Sequence, residues 1–167
     1  MSLYSDIKSN IKYLIPLFMS LLLSIISIMP IMPNGYESIA PLLGVVSMTF
    51  WIVHRPDIMG WLFVVIIGIF SDIIYGSVLG SALLSSLLIR VVLTKMLHKL
   101  DPVNIFHSLF YITISLLIWL IISLVINSAF NLHQINYYNY LFQCLISIII
   151  SPIVIFFQLY LLKKITS

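Results

Sequence analysis

Two ionisable residues stand well inside long apolar stretches of this sequence, Asp72 and Arg90. An aspartate at the centre of a bilayer costs about 2.5–3.5 kcal/mol on insertion scales, and less near its edge. Asp72 must therefore face other helices, a watery pocket or a cation. It also belongs to a series: Gly68, Asp72, Gly76 and Gly80 recur at every fourth position. That step keeps residues on one slowly drifting helix face. Glycines on such a face admit a second backbone, either a helix of this chain or, at Gly68, Gly76 and Gly80, the helix of a partner. If the chain folds back at Gly76 and Ser77, Asp72 lies about 6 Å and Arg90 about 18 Å below the turn, at 1.5 Å per residue. A direct or water-bridged pair is one reading. Otherwise Arg90 snorkels to the membrane interface, and Asp72 caps nearby backbone or lines an outer pocket.

Other catalytic signals are poor. His54, His98 and His107 fall towards one side and His133 towards the other, without H-x-x-x-H, H-E-x-x-H or G-x-S-x-G spacing. One aspartate makes no acid/base pair. The many serines at helical spacing are better suited to packing or to bonding carbonyls of their own helix. Cys144 stands alone, which excludes an intramolecular disulfide and a cysteine-based metal site, and it reads as a small buried hydrophobe. No enzyme and no cofactor are expected.

The elements that must position these residues follow from composition. The 167 residues are 62% hydrophobic and 8% charged, with a mean hydropathy of +1.18. A soluble domain carries about 25% charged residues. Eight basic and five acidic side chains do not cover a water-facing surface of this size. The apolar runs are continuous, which disfavours a β-barrel. At about 28 residues per span and loop, the chain divides into six spans of one membrane domain, 1–167. They are expected at 13–32, 39–53, 58–75, 78–94, 105–126 and 140–162. The first stretch is too long for a signal-peptide core and no A-x-A-like site follows it, so it reads as an uncleaved span. Pro41 belongs in the first turn of the second span, and Pro152 kinks the sixth.

Orientation follows from Lys and Arg. With the N-terminus in the cytoplasm, Lys8, Lys12, Arg55, Lys95, Lys99, Lys163 and Lys164 all lie inside, and Glu37 lies outside. Both termini are then cytoplasmic. Trp51, Trp61 and Tyr160 fall at the inner interface; Tyr36, Tyr75, Tyr137 and Tyr138 fall at the outer one. The net charge of +3 has this topological origin and implies no nucleic-acid partner. The inner loop of His54, Arg55, Pro56 and Asp57 resembles that of His98, Lys99, Leu100, Asp101 and Pro102. Asp101 and Pro102 read as an N-cap and first helical position, and Asp57 is a candidate cap for the third span. Helix punctuation is the simpler role of these loops; a cytoplasmic docking patch is the other.

The segment 41–88 resembles the rod-shape-determining protein MreD family of bacteria. It has a Pro opening the second span, a short charged inner loop, and Gly68, Asp72, Gly76, Ser77 and Gly80 as G-x-x-x-D running into G-S-x-x-G. Ala40 stands where the family often has an arginine, so no arginine role is carried over there. The resemblance implies a non-enzymatic subunit of the cell-elongation machinery in the inner membrane. It also implies an MreC-like single-span partner, with MreB filaments and peptidoglycan synthases reached through the complex. The implied fold is a six-helix membrane bundle similar to the substrate-binding subunits of energy-coupling-factor vitamin transporters. That likeness supplies the alternative, a small-molecule uptake subunit. Ser20 and Ser24 faintly echo the small residues such subunits use to dock their energising partner, but the outer loop 33–38 is short for covering a ligand.

Overall fold

One helix is buried along almost its whole length and forms the centre of the core. In the computed structural model that helix is α2, Leu43–His54, whose residues Leu43 to Val53 are all buried. The other helices are α1 (Ser2–Ile28), α3 (Trp61–Tyr75), α4 (Ser81–Leu97), α5 (Ile105–Ala129) and α6 (Tyr137–Thr166). The structure describes residues 2–29, 40–76, 78–97, 105–130 and 137–166, with side chains for these except 2–12, 137, 165 and 166. α2 packs against each of the other five helices, which follow one another around it in the order α1, α3, α4, α5, α6. The fold is all-helical, with six helices on the six apolar stretches.

α5 and α6 are long and apolar enough to cross a membrane by length and composition. α2 is shorter, twelve residues, or about 18 Å at 1.5 Å per residue. The outward faces are apolar: Phe18, Leu62, Ile73, Phe106, Val125, Ile149, Ile153 and Phe156 are all exposed. The interior holds many serines beside its hydrophobic core. Six of them, Ser20, Ser24, Ser27, Ser85, Ser115 and Ser147, donate to the carbonyl four residues back. That leaves their oxygens free to accept from a neighbouring helix. Pro152 removes a backbone donor within α6, and the helix continues past it. Ser151 Oγ donates to the Ile148 carbonyl at 2.7 Å, the group that Pro152 would otherwise leave unpaired.

Several local expectations are corrected. Pro41 precedes α2 instead of opening it: Leu42 is the N-cap, and Leu43 N–H turns back to the Pro41 carbonyl at 2.9 Å. Asp57 does not cap α3, whose N-cap is Gly60 without a side-chain bond; Asp57 and Pro56 are exposed in the turn after α2. The Arg55 carbonyl instead accepts from Ile58 and Met59 N–H and closes that turn. Trp51 belongs to the core at 1% exposure, whereas Trp61 and Tyr160 are exposed. The turn at Asn34 and Gly35, Ser77, the loop carrying His98, Lys99, Asp101 and Pro102, and residues 131–136 lie outside the described residues.

Candidate functional site

A helix beginning in an apolar environment leaves four backbone donors without partners, and lipid supplies no acceptors for them. α4 begins with Ser81 and Ala82 buried, and Asp72 of α3 answers its donors. Its Oδ1 accepts from Ala82 N–H at 2.7 Å and Ser81 Oγ at 3.2 Å. Its Oδ2 accepts from Gly80 N–H at 2.9 Å and Leu83 N–H at 3.2 Å. The remaining early donor, Ser81 N–H, goes to the Val78 carbonyl. Asp72 is 3% exposed, and its negative charge meets the positive end of the α4 dipole. The structure thus selects backbone capping among the roles open to Asp72.

The pairing of Asp72 with Arg90 is corrected by the same geometry. Arg90 lies nine residues beyond the start of α4, about 13 Å along the helix axis. Its Nη1 donates to the Met59 carbonyl, and its guanidinium carbon sits 5.1 Å from the centre of the Trp61 ring. Arg90 therefore reaches towards the α2–α3 loop and fastens it to α4.

The glycines divide into two kinds. Gly68 faces α4: a Cβ there would stand 2.7 Å from Leu83 Cα and 2.6 Å from Ser86 Oγ. The second backbone admitted by Gly68 is the chain's own. Ser86 Oγ also reaches the Val64 carbonyl across this seam at 3.4 Å. Gly76 and Gly80 make no comparable close approach. They have φ of 58° and 97°, and a Cβ on either would meet nothing within 4 Å. Gly76 ends α3 in the left-handed conformation, a common helix stop. The four-residue series is thus one device for turning α3 into α4, made of a seam, a cap and two backbone bends.

A second set of residues, which spacing alone did not single out as a site, secures α2. Leu42 N–H donates to Ser147 Oγ of α6 at 2.9 Å, and Leu43 N–H to Ser27 Oγ of α1 at 3.2 Å. Gln143 of α6 holds the Ala40 carbonyl at 2.9 Å. Deeper in, Gln158 of α6 donates to Ser47 of α2, whose hydroxyl lies 3.1 Å from that of Ser20 on α1. Gly44 sits directly against Ser24. Ser20 and Ser24 therefore serve α2 and present no docking stripe outwards. The available signal was their period: Ser20, Ser24 and Ser27 on one helix, Gln143, Ser147, Ser151 and Gln158 on another. At the opposite end of α2, His54 Nδ1 lies 3.0 Å from the Phe50 carbonyl, and His54 stacks on the Phe50 ring. Ser108 of α5 is 3.5 Å from its other ring nitrogen. Among the described residues no three His, Cys, Asp or Glu side chains group as metal ligands.

No curated protein and no solved structure matches the chain. The family model described as rod shape-determining protein MreD matches residues 7–165, nearly the whole sequence, and reaches every helix described above. The chain belongs to the MreD family of membrane proteins, which act in rod-shape determination.

Proposed function

We propose that this chain is a non-enzymatic scaffold of the cell-elongation complex in the bacterial inner membrane. It spans the membrane six times with both termini in the cytoplasm, in a bundle similar to the substrate-binding subunits of energy-coupling-factor transporters. It holds an MreC-like single-span partner and bears through it on MreB filaments and peptidoglycan synthases. The family match over residues 7–165 carries this reading. The use made of the buried polar groups supports it: Asp72, Ser27, Ser47 and Ser147 tie helices to one another. In lipid, such ties and close packing give a rigid body, since apolar tails provide no hydrophobic drive between helices. With Gly68 covered by α4, the exposed perimeter is the surface left for the partner's helix. The uptake alternative loses its α1 docking stripe, since Ser20 and Ser24 face α2.

The test is co-purification from membranes of rod-shaped cells. Tagged chain is expected to retain an MreC-like protein, and its depletion to round the cells. Retention of an energising ATPase module with no MreC-like protein would replace the scaffold by the uptake reading.

A further inference from the structure

Arg90 is a buried guanidinium that meets a carbonyl and an aromatic ring, with no carboxylate beside it among the described residues. It is 8% exposed, with one donor on the Met59 carbonyl and the Trp61 ring nearby. Its Nε is buried and has no acceptor among the described residues. Asp72 is engaged at the far end of α3, and Asp57 is exposed in the loop. A charge taken out of water needs an anion or full hydrogen bonding. With Nη1 committed to Met59, the side of the guanidinium bearing Nε is left over. A guanidinium edge with two parallel N–H groups suits a phosphate.

The depth of the site says which phosphate. Trp61 opens α3 and is 53% exposed; its neighbour Leu62 is 66% exposed. An indole at a helix end facing outwards marks the level of the lipid headgroups. Arg90 lies against that ring. Lys95, exposed in the last turn of α4, adds positive potential towards the same end. We propose that Arg90, held by the Met59 carbonyl and the Trp61 ring, binds the phosphate of an anionic lipid in the leaflet on the side of the α2–α3 loop. That leaflet is cytoplasmic in the topology proposed above, and only the naming of the side rests on it. The lipid completes the coordination of Arg90 and braces the α2–α3 loop.

The test uses the full chain purified in detergent, without any partner. Retained phosphatidylglycerol and phosphatidylcholine are measured by native mass spectrometry. Wild type is expected to prefer phosphatidylglycerol, and Arg90→Gln to bind it about tenfold or more weakly, as for loss of a charge-assisted hydrogen bond. Trp61→Leu changes an exposed side chain and is expected to weaken binding in a folded protein, so the test stands even if Arg90→Gln fails to fold. Millimolar inorganic phosphate should leave the lipid in place; displacement would mean a free-anion site and overturn the lipid assignment. Equal retention of the two lipids by wild type, or unchanged phosphatidylglycerol binding in folded Arg90→Gln or Trp61→Leu, would also overturn it. Arg90 would then be a loop tie or await a carboxylate on a partner helix. Because the partner is absent throughout, either result leaves the scaffold reading to its own test.

Discussion

Asp72 shows how one carboxylate can make a helix start tolerable inside a bundle. It accepts three backbone N–H groups and a serine hydroxyl at the start of α4. Asparagine keeps the shape but turns an amide NH2 towards donors and removes the charge. Asp72→Asn is expected to lower stability in detergent by about 1.5–3 kcal/mol, the range for hydrogen bonds to a charged group; thermal unfolding of the purified protein measures it. Arg90 works about 13 Å further along α4, on Met59 and Trp61. The effects of Asp72→Asn and Arg90→Gln should therefore add to within about 0.5 kcal/mol. A larger coupling would mean that the two residues communicate in a way their positions do not show.

At the scale of elements, the short helices α2 and α4 both start on side chains lent by their neighbours. α4 uses Asp72 of α3; α2 uses Ser27 of α1 and Ser147 of α6. Such borrowed caps work only if the helices stay at a fixed separation, and glycine sets that separation. Gly68→Ala places a methyl 2.7 Å from a backbone atom of α4, which must move. It is expected to cost about 1–3 kcal/mol, as overpacking does. Gly60→Ala meets nothing within 4 Å and is expected to change stability by about 0.5 kcal/mol or less. Melting curves of the two variants in one detergent compare them directly. On α2, Gly44→Ala collides with Ser24. The reciprocal pair Ser24→Gly with Gly44→Ala should destabilise less than the sum of the single changes, because one removes the obstacle the other meets. A strictly additive pair would show that α1 and α2 do not touch there.

For the whole molecule, the distribution of Lys and Arg makes topology the measurable quantity. In a Cys144→Ala background, a cysteine at Asn131 is expected to react with an impermeant thiol reagent from outside intact cells. Cysteines at Ser2 and Ser167 are expected to react only after permeabilisation. External labelling of either terminus would reverse the orientation and, with it, the leaflet to which Arg90 is assigned. Cys144 itself is 6% exposed, so its replacement by alanine should leave this labelling unchanged.

Hydropathy and charge are carried residue by residue along the chain, and what depends on them is legible in the letters alone. The helical class and the six helices are of this kind, with boundaries that shifted where caps intervene, as at Pro41 and Gly60. So is the family, because the spacing from Gly68 to Gly80 survives as a string of letters. The destination of each polar group was a different matter. Whether Asp72 meets Arg90 or the start of α4 depends on where α4 begins relative to α3, and that register is set by packing across Gly68. Whether Ser20 and Ser24 face a partner or α2 depends on which helix takes the centre. That α2 takes the centre, and the order of the five helices around it, was not readable. Periodicity assigns a residue to a face of its own helix; only the tertiary structure says what that face meets, because in lipid several pairings satisfy the same apolar surface and the hydrogen bonds between helices decide among them.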